Sequence, residues 1–239
     1  MSNSLKKVLK HGLYIIKKYT EVIKLKKSTE LFIEKLFIRY PDLISCPIKD
    51  SIEAIVACYK DGKKLLVCGN GGSAADSLHI VGELMKGFVL PRKLEDKKQN
   101  EIRLQFPETA QYLIDNLQGA LPAISLVSET SLLTAYSNDQ APELSFAQQV
   151  LGYGNNGDIL IAISTSGNSK NVIYAAQLAK VQGMKVISLT GNTGGKLKEI
   201  SDILINVPSD ETYIIQEYHL PIYHAICAAV ENEMFSEEE

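Results

Sequence analysis

Five short apolar runs punctuate the chain: KLLVCG (64–69), AISLV (123–127), DILIAIS (158–164), KVISLT (185–190) and DILINV (202–207). In each, apolar residues occupy both alternating faces, as a strand covered on both sides requires. Between them lie helical stretches near 73–88, 130–153 and 169–182, and a last helix spans about 211–235. Strands alternating with helices predict an α/β fold, a three-layer sandwich around a five-stranded parallel sheet. Right-handed crossovers then place any ligand outside the carboxyl ends of the strands.

Two regions depart from this rhythm. Near the N-terminus, Leu5, Leu9, Gly12, Ile16, Tyr19 and Ile23 recur at steps of four and three, widened by Val8, Ile15 and Val22. That is an amphipathic helix with one face to bury. Its other face carries most of the eight lysines found in the first 27 residues, against the single acid Glu21. Such a face suits an anionic surface, but a solvated face on a helix packed against its own chain or a second subunit is the expected reading. Helices at about 30–40 and 48–60 follow, the latter entered through Pro47 and stopped near Gly62. These helices make an N-terminal region, 1–61, ahead of a main domain, 62–239. The second irregular region is PRKLEDKKQNEIR (91–103), followed by the helix-like ETAQYLIDNLQ (108–118). It reads as an insertion at about 91–119, either a lid over a site or a peripheral decoration.

Charge and composition narrow the function classes. The chain of 239 residues is 45% apolar and carries a net charge of -3, so no global electrostatic case exists for nucleic acid or a membrane. No run approaches the roughly 20 apolar residues of a membrane span. The N-terminus lacks the continuous apolar core of a signal peptide. Cys46, Cys58, Cys68 and Cys227 form no C-x-x-C pair. A reducing, cytoplasmic setting is expected.

Candidate chemistry gathers where strands end. Gly69, Gly71 and Ala74 fit the G-x-G-x-x-[GA] fingerprint of dinucleotide-binding turns. The acid that should end a second strand about 20 residues on is missing; Pro91 and a charge run stand there instead, which argues against a nicotinamide cofactor. GNTGGKL (191–197) lacks the spacing and the hydroxyl of a P-loop and reads as a turn. ISTSGNSKN (163–171) is more telling. It offers Ser164, Thr165, Ser166 and Ser169 around Gly167 at a strand-to-helix junction. One hydroxyl would cap the helix; four, with helix N-terminal amides, make a neutral cradle for a phosphate dianion. With no arginine in the stretch, a small sugar phosphate fits better than a nucleic acid backbone.

Only four histidines exist. His79 and Glu83 are one turn apart and share a helix face, a spacing that suits a divalent metal such as zinc or, taken alone, a surface hydrogen bond. Gln216, Glu217, His219 and His224 lie on the last helix, again beyond the sheet's carboxyl end. Gln216 and His224 are about 12 Å apart along an unbroken helix. For both to reach one ion, either Pro221 kinks the helix or a second subunit completes the site; the second subunit is the preferred reading.

The stretches CGNGGSAADSLHIVGEL, AYSND (135–139), GDILIAISTSGNSKNVI, GMKVISLTG and IQEYHLPIYH together resemble the SIS (sugar isomerase) family, and within it the phosphoheptose isomerases. The resemblance implies the SIS fold with N-terminal helices packing a homotetramer, sites at subunit interfaces, and one Zn2+ per subunit. It implies zinc ligands at His79, Glu83, Gln216 and His224, with Glu83 as base and His224 as acid. It also implies substrate contacts from Asn70, Gly71, Gly72, Ser73, Asp139, Ser164, Thr165, Ser166, Ser169 and Gln216. The implied reaction converts sedoheptulose 7-phosphate to D-glycero-D-manno-heptose 7-phosphate, for nucleotide-activated heptoses and surface polysaccharide. The alternatives are an isomerase of another phosphosugar and a non-catalytic SIS adaptor that binds a replication-initiator-type partner; the presence of both Glu83 and His224 favours an enzyme. Two family arginines are absent: Ile214 stands just before IQE, and Lys86-Gly87 follows the EL helix.

Overall fold

A computed structural model describes residues 24–237. The expected N-terminal amphipathic helix lies, up to Ile23, outside the described residues. Two helices, α1 (Lys27–Arg39) and α2 (Ile48–Lys60), precede the sheet. The order then runs β1 (Leu65–Cys68), α3 (Gly72–Met85), α4 (Asp96–Gln105), α5 (Ala110–Asn116), β2 (Ala123–Ser125), α6 (Thr130–Asp139), α7 (Ser145–Tyr153) and β3 (Ile159–Ile163). It finishes with α8 (Lys170–Val181), β4 (Lys185–Thr190), β5 (Ile203–Asn206) and α9 (Thr212–Phe235).

All five strands are parallel, in the order β2-β1-β3-β4-β5. The register sets Leu65 beside Ile159 and Cys68 beside Ala162, and β4 continues it with Ile187 beside Ile161. Period-two alternation divides the strand residues between two cores. Leu65, Val67, Ile159, Ile161 and Ile163 face α1, α2, α3 and α9. Leu66, Cys68, Leu160 and Ala162 face α7 and α8, where Ala175, Ala176 and Ala179 bring the helix close to the sheet. Each such isoleucine or leucine, once buried, contributes about 1.5–3 kcal/mol. The three-layer sandwich follows from this double burial.

One expectation needs correction. The stretch 130–153 is not one helix; it breaks at Ala141 and Pro142 into α6 and α7, because proline donates no amide bond and pushes the preceding residue into an extended conformation. The charged run of 91–103, read as part of an insertion, is partly helical. Residues 96–105 form α4, which buries none of its side chains.

The chain reverses direction between β1 and β3: the first crossover leaves β1 toward β2, and the later ones run the other way. At such a switch point the loops after the two strands splay apart and leave a crevice. Here those loops are the glycine turn, 69–72, and the serine loop, 164–169.

Candidate active site

The two loops at the crevice are tied together. Asn70 Nδ2 donates to Asn171 Oδ1, and Asn171 Nδ2 returns the bond to Asn70 Oδ1, both at 2.9 Å. Gly71, at φ +56°, turns the chain into α3. Gly167, at φ +64°, lies so close to the Gly194 carbonyl that no side chain fits, which presses the serine loop onto the turn after β4. Within the loop, the Ser164 and Ser169 hydroxyls are 3.0 Å apart, and Asn168 N–H donates to Ser166 Oγ at 3.1 Å. Ser73 and Ser164 are buried, Thr165 and Ser169 half-buried, and Ser166, Asn70, Gly71 and Gly72 exposed. The cradle is thus an open concavity lined by hydroxyls and helix N-terminal amides, a neutral arrangement that favours an anion.

Two to three turns further along, α3 and α9 bring a second set of groups together. His79 Nε2 lies 3.1 Å from Glu83 Oε1 and 3.4 Å from His224 Nε2. Glu83 Oε2 accepts from Lys86 Nζ at 3.2 Å. The His79 side chain is 42% exposed and that of Glu83 only 12%. Phe88 packs against the His224 ring at 5.5 Å. Burial, and then the neighbouring His79, pull His224 below the ordinary imidazole range, so its free base is favoured. Behind His79, Nδ1 is 3.0 Å from Tyr223 Oη, which donates to Asp76 Oδ1 at 3.3 Å.

A buried ion pair locks these two helices. Arg92 donates from Nε to Glu231 Oε1 at 2.7 Å, and its terminal nitrogens cap the carbonyls of Leu84 and Glu83 at the end of α3. Glu231, on α9, also accepts the consecutive amides of Phe88, Val89 and Leu90. Helix-terminal carbonyls and a run of free amides, both costly to bury unpaired, are satisfied by one guanidinium and one carboxylate. The Glu83 carbonyl is therefore tied through Arg92 to Glu231, which lies about two turns beyond His224 on α9.

Not every expected residue joins the group. Gln216 packs against Gly72, where any side chain would meet its amide, and it makes no hydrogen bond to His79, Glu83 or His224 among the described residues. Helix α9 continues through Pro221 as one element, so Gln216 stays at the glycine turn while His224 reaches His79. Asp139 is exposed at the end of α6, bonded only to its neighbour Asn138. A groove of about 350 Å³ opens beside His224, lined by Phe32, Lys35 and Arg39 of α1 and by Glu217 and Pro221; it takes nothing from the glycine turn or serine loop. Asp76, Tyr223, Arg92 and Asn171 received no role from the sequence. Each works by meeting a residue distant in the chain; Asp76, Tyr223 and Asn171 lie inside the motif stretches themselves, whereas Arg92 sits in the charged run.

Among the described residues, no cluster of three or more His, Cys, Asp or Glu side chains stands as a finished metal site. The donors of His79, Glu83 and His224 are nonetheless of the kind that binds zinc. Zinc–nitrogen bonds of about 2.0–2.1 Å put tetrahedral neighbours roughly 3.3–3.4 Å apart, close to the separation of the two imidazole nitrogens here.

A family model described as the SIS domain matches residues 34–98 and 113–191. The stretch it passes over, 99–112, falls within the segment that carries α4 and α5. The phosphoheptose isomerase of Clostridium acetobutylicum is 41% identical over 191 residues, which cover 80% of this chain and 84% of its own length. The solved phosphoheptose isomerase of Neisseria gonorrhoeae superimposes with a TM-score of 0.63 at 31% identity, over 96% of this chain and 100% of that one. The Francisella tularensis enzyme does so with a TM-score of 0.66 at 31% identity, over 92% and 98%.

Proposed function

We infer the reaction from family and geometry together: the chain belongs to the SIS domain family and, within it, to the phosphoheptose isomerases. Its substrate is sedoheptulose 7-phosphate and its product D-glycero-D-manno-heptose 7-phosphate. The observation that carries this reading is the meeting of Glu83, His79 and His224 beside a hydroxyl-lined anion cradle at the sheet's switch point. Ser73, Ser164, Thr165, Ser166 and Ser169, with the turn at Asn70–Gly72, hold the phosphate and so fix where the sugar's other end lies.

Moving a carbonyl from C2 to C1 takes a proton from C1, passes through an enediol, and returns a proton to C2. Glu83 carries the proton between the carbons, since a carboxylate held by hydrogen bonds on a rigid helix is a positioned base. His224, favoured as the free base, exchanges protons with the oxygens of the enediol. Lys86 Nζ reaches Glu83 Oε2 from the solvent side, which helps fix where the carboxylate points. His79, Glu83 and His224 would hold zinc, which would polarise the carbonyl and stabilise enediolate charge; Gln216, the fourth ligand the resemblance implies, lies at the glycine turn instead. Lys86 and Ile214, standing where the family has arginines, favour a different ketose phosphate as the second candidate substrate, within the same reaction.

The test is incubation of the full-length protein with sedoheptulose 7-phosphate, with added zinc or with a chelator, followed by NMR. Appearance of the aldoheptose phosphate with zinc and its suppression by the chelator are expected. Absence of turnover with this and related ketose phosphates, zinc supplied, overturns the proposal. Glu83→Gln should lower kcat by at least 10²-fold, the contribution typical of a general base; near-native turnover would remove Glu83 from the chemistry.

A further inference from the structure

Tyr223 touches both imidazoles of the site. It is 3% exposed, and its ring meets those of His79 and His224 edge-to-face, with centroids 5.4 and 5.0 Å away. Its hydroxyl lies between His79 Nδ1, at 3.0 Å, and Asp76 Oδ1, at 3.3 Å. A phenol has a single proton to donate, and a carboxylate can only accept. Asp76 has no other donor among the described residues, and its second oxygen, Oδ2, is buried without a partner.

Glu83 Oε1 also faces His79, at 3.1 Å from Nε2, but Glu83 already accepts from Lys86 Nζ at 3.2 Å, so the donorless Asp76 sets the direction of the chain. Were Tyr223 to donate to His79, a half-buried carboxylate would face the lone pairs of the phenol with no donor at all, the costlier arrangement. With the tyrosine proton given to Asp76, its oxygen is free to accept, and His79 must supply the proton from Nδ1. We propose that Asp76 and Tyr223 form a relay that holds His79 as the Nδ1–H tautomer, with Tyr223 the positioning residue for the trio. The relay leaves the Nε2 lone pair aimed at Glu83 Oε1 and His224 Nε2, three acceptors converging where a cation would sit. The inference rests on the reading of His79 as a metal ligand, and it concerns residues to which the ligand set gives no role.

The tautomer can be read without any metal. Long-range ¹⁵N–¹H NMR on the metal-free full-length protein, at a pH where the imidazoles are neutral, distinguishes Nδ1–H from Nε2–H at His79. The native protein is expected to show Nδ1–H. Tyr223→Phe should lose that preference and weaken zinc binding, measured by competition with a chromophoric chelator, by about 10- to 100-fold. Asp76→Asn keeps an acceptor for the phenol and should retain the native tautomer, whereas Asp76→Ala should behave as Tyr223→Phe does. An Nε2–H signal in the native protein overturns the relay whether or not any variant folds. Retention of both the tautomer and the zinc affinity by a folded Tyr223→Phe overturns it as well. Failure of the native protein to bind zinc would instead strike the metal reading, since the tautomer is measured in its absence.

Discussion

His219 has no exposed surface, and its Nδ1 finds no partner, while Nε2 reaches the Thr190 carbonyl at a long 3.4 Å. Burial pulls its pKa down to about 4, against a weaker upward pull from the Thr190 bond. The unfolded chain, with an ordinary imidazole near 6.5, binds the proton first as pH falls. Stability is therefore complete above about pH 6.5 and is lost as pH drops toward 4, by on the order of 3 kcal/mol over the whole window. Urea unfolding at pH 7 and at pH 4.5 should show this loss, and His219→Leu should flatten it; an unchanged slope in the variant would assign the acid sensitivity elsewhere. The same burial separates His219 from His224, five residues on, which is half-exposed and meets His79. Residue type alone does not tell these two histidines apart; packing does.

Helices α3 and α9 carry the trio, and what sets their spacing is the Arg92–Glu231 pair. Both side chains are fully buried, so removing one partner leaves the other charge stranded. Arg92→Met is expected to cost roughly 3–5 kcal/mol in urea unfolding. Because the guanidinium also caps the Glu83 carbonyl, zinc affinity should fall in the protein that remains folded. A variant that unfolds like the native protein would show the pair to be incidental. Arg92 lies within the charged segment that, read in one dimension, looked like lid or decoration. Its first residues instead pin α3 to α9, while α4 buries none of its side chains. A run of eight charges in thirteen residues conceals the one that is buried, because composition averages over neighbours.

Across the whole molecule, the switch between β1 and β3 brings together loops nearly one hundred residues apart in sequence. Their joint is the reciprocal amide pair of Asn70 and Asn171. Asn171→Ala should weaken binding of inorganic phosphate several-fold and raise KM for the sugar phosphate. Thermal stability should hardly change, since the pair is exposed and an exposed hydrogen bond contributes about 1 kcal/mol or less. Unaltered phosphate affinity in a calorimetric titration would mean the loops hold their positions independently. Among the described residues, no helix is long and apolar enough to cross a membrane.

Much of this was legible in one dimension. Doubly apolar strand runs imply a parallel sheet covered on both faces, because period two sends alternate residues to opposite sides and neither side can be left in water. Glycines and hydroxyls at strand ends mark the anion cradle, and the one-turn spacing of His79 and Glu83 follows from helical geometry. Strand order is different: it depends on which crossover runs to which side, and nothing local encodes that. The resemblance had already singled out His224 rather than His219; it took the folded chain to leave Gln216 at the glycine turn, and to set Tyr223, Asp76, Arg92 and Glu231 around the site. The reason is physical: periodicity reports which face a residue presents, whereas a site is made of distances between faces, and packing alone sets those.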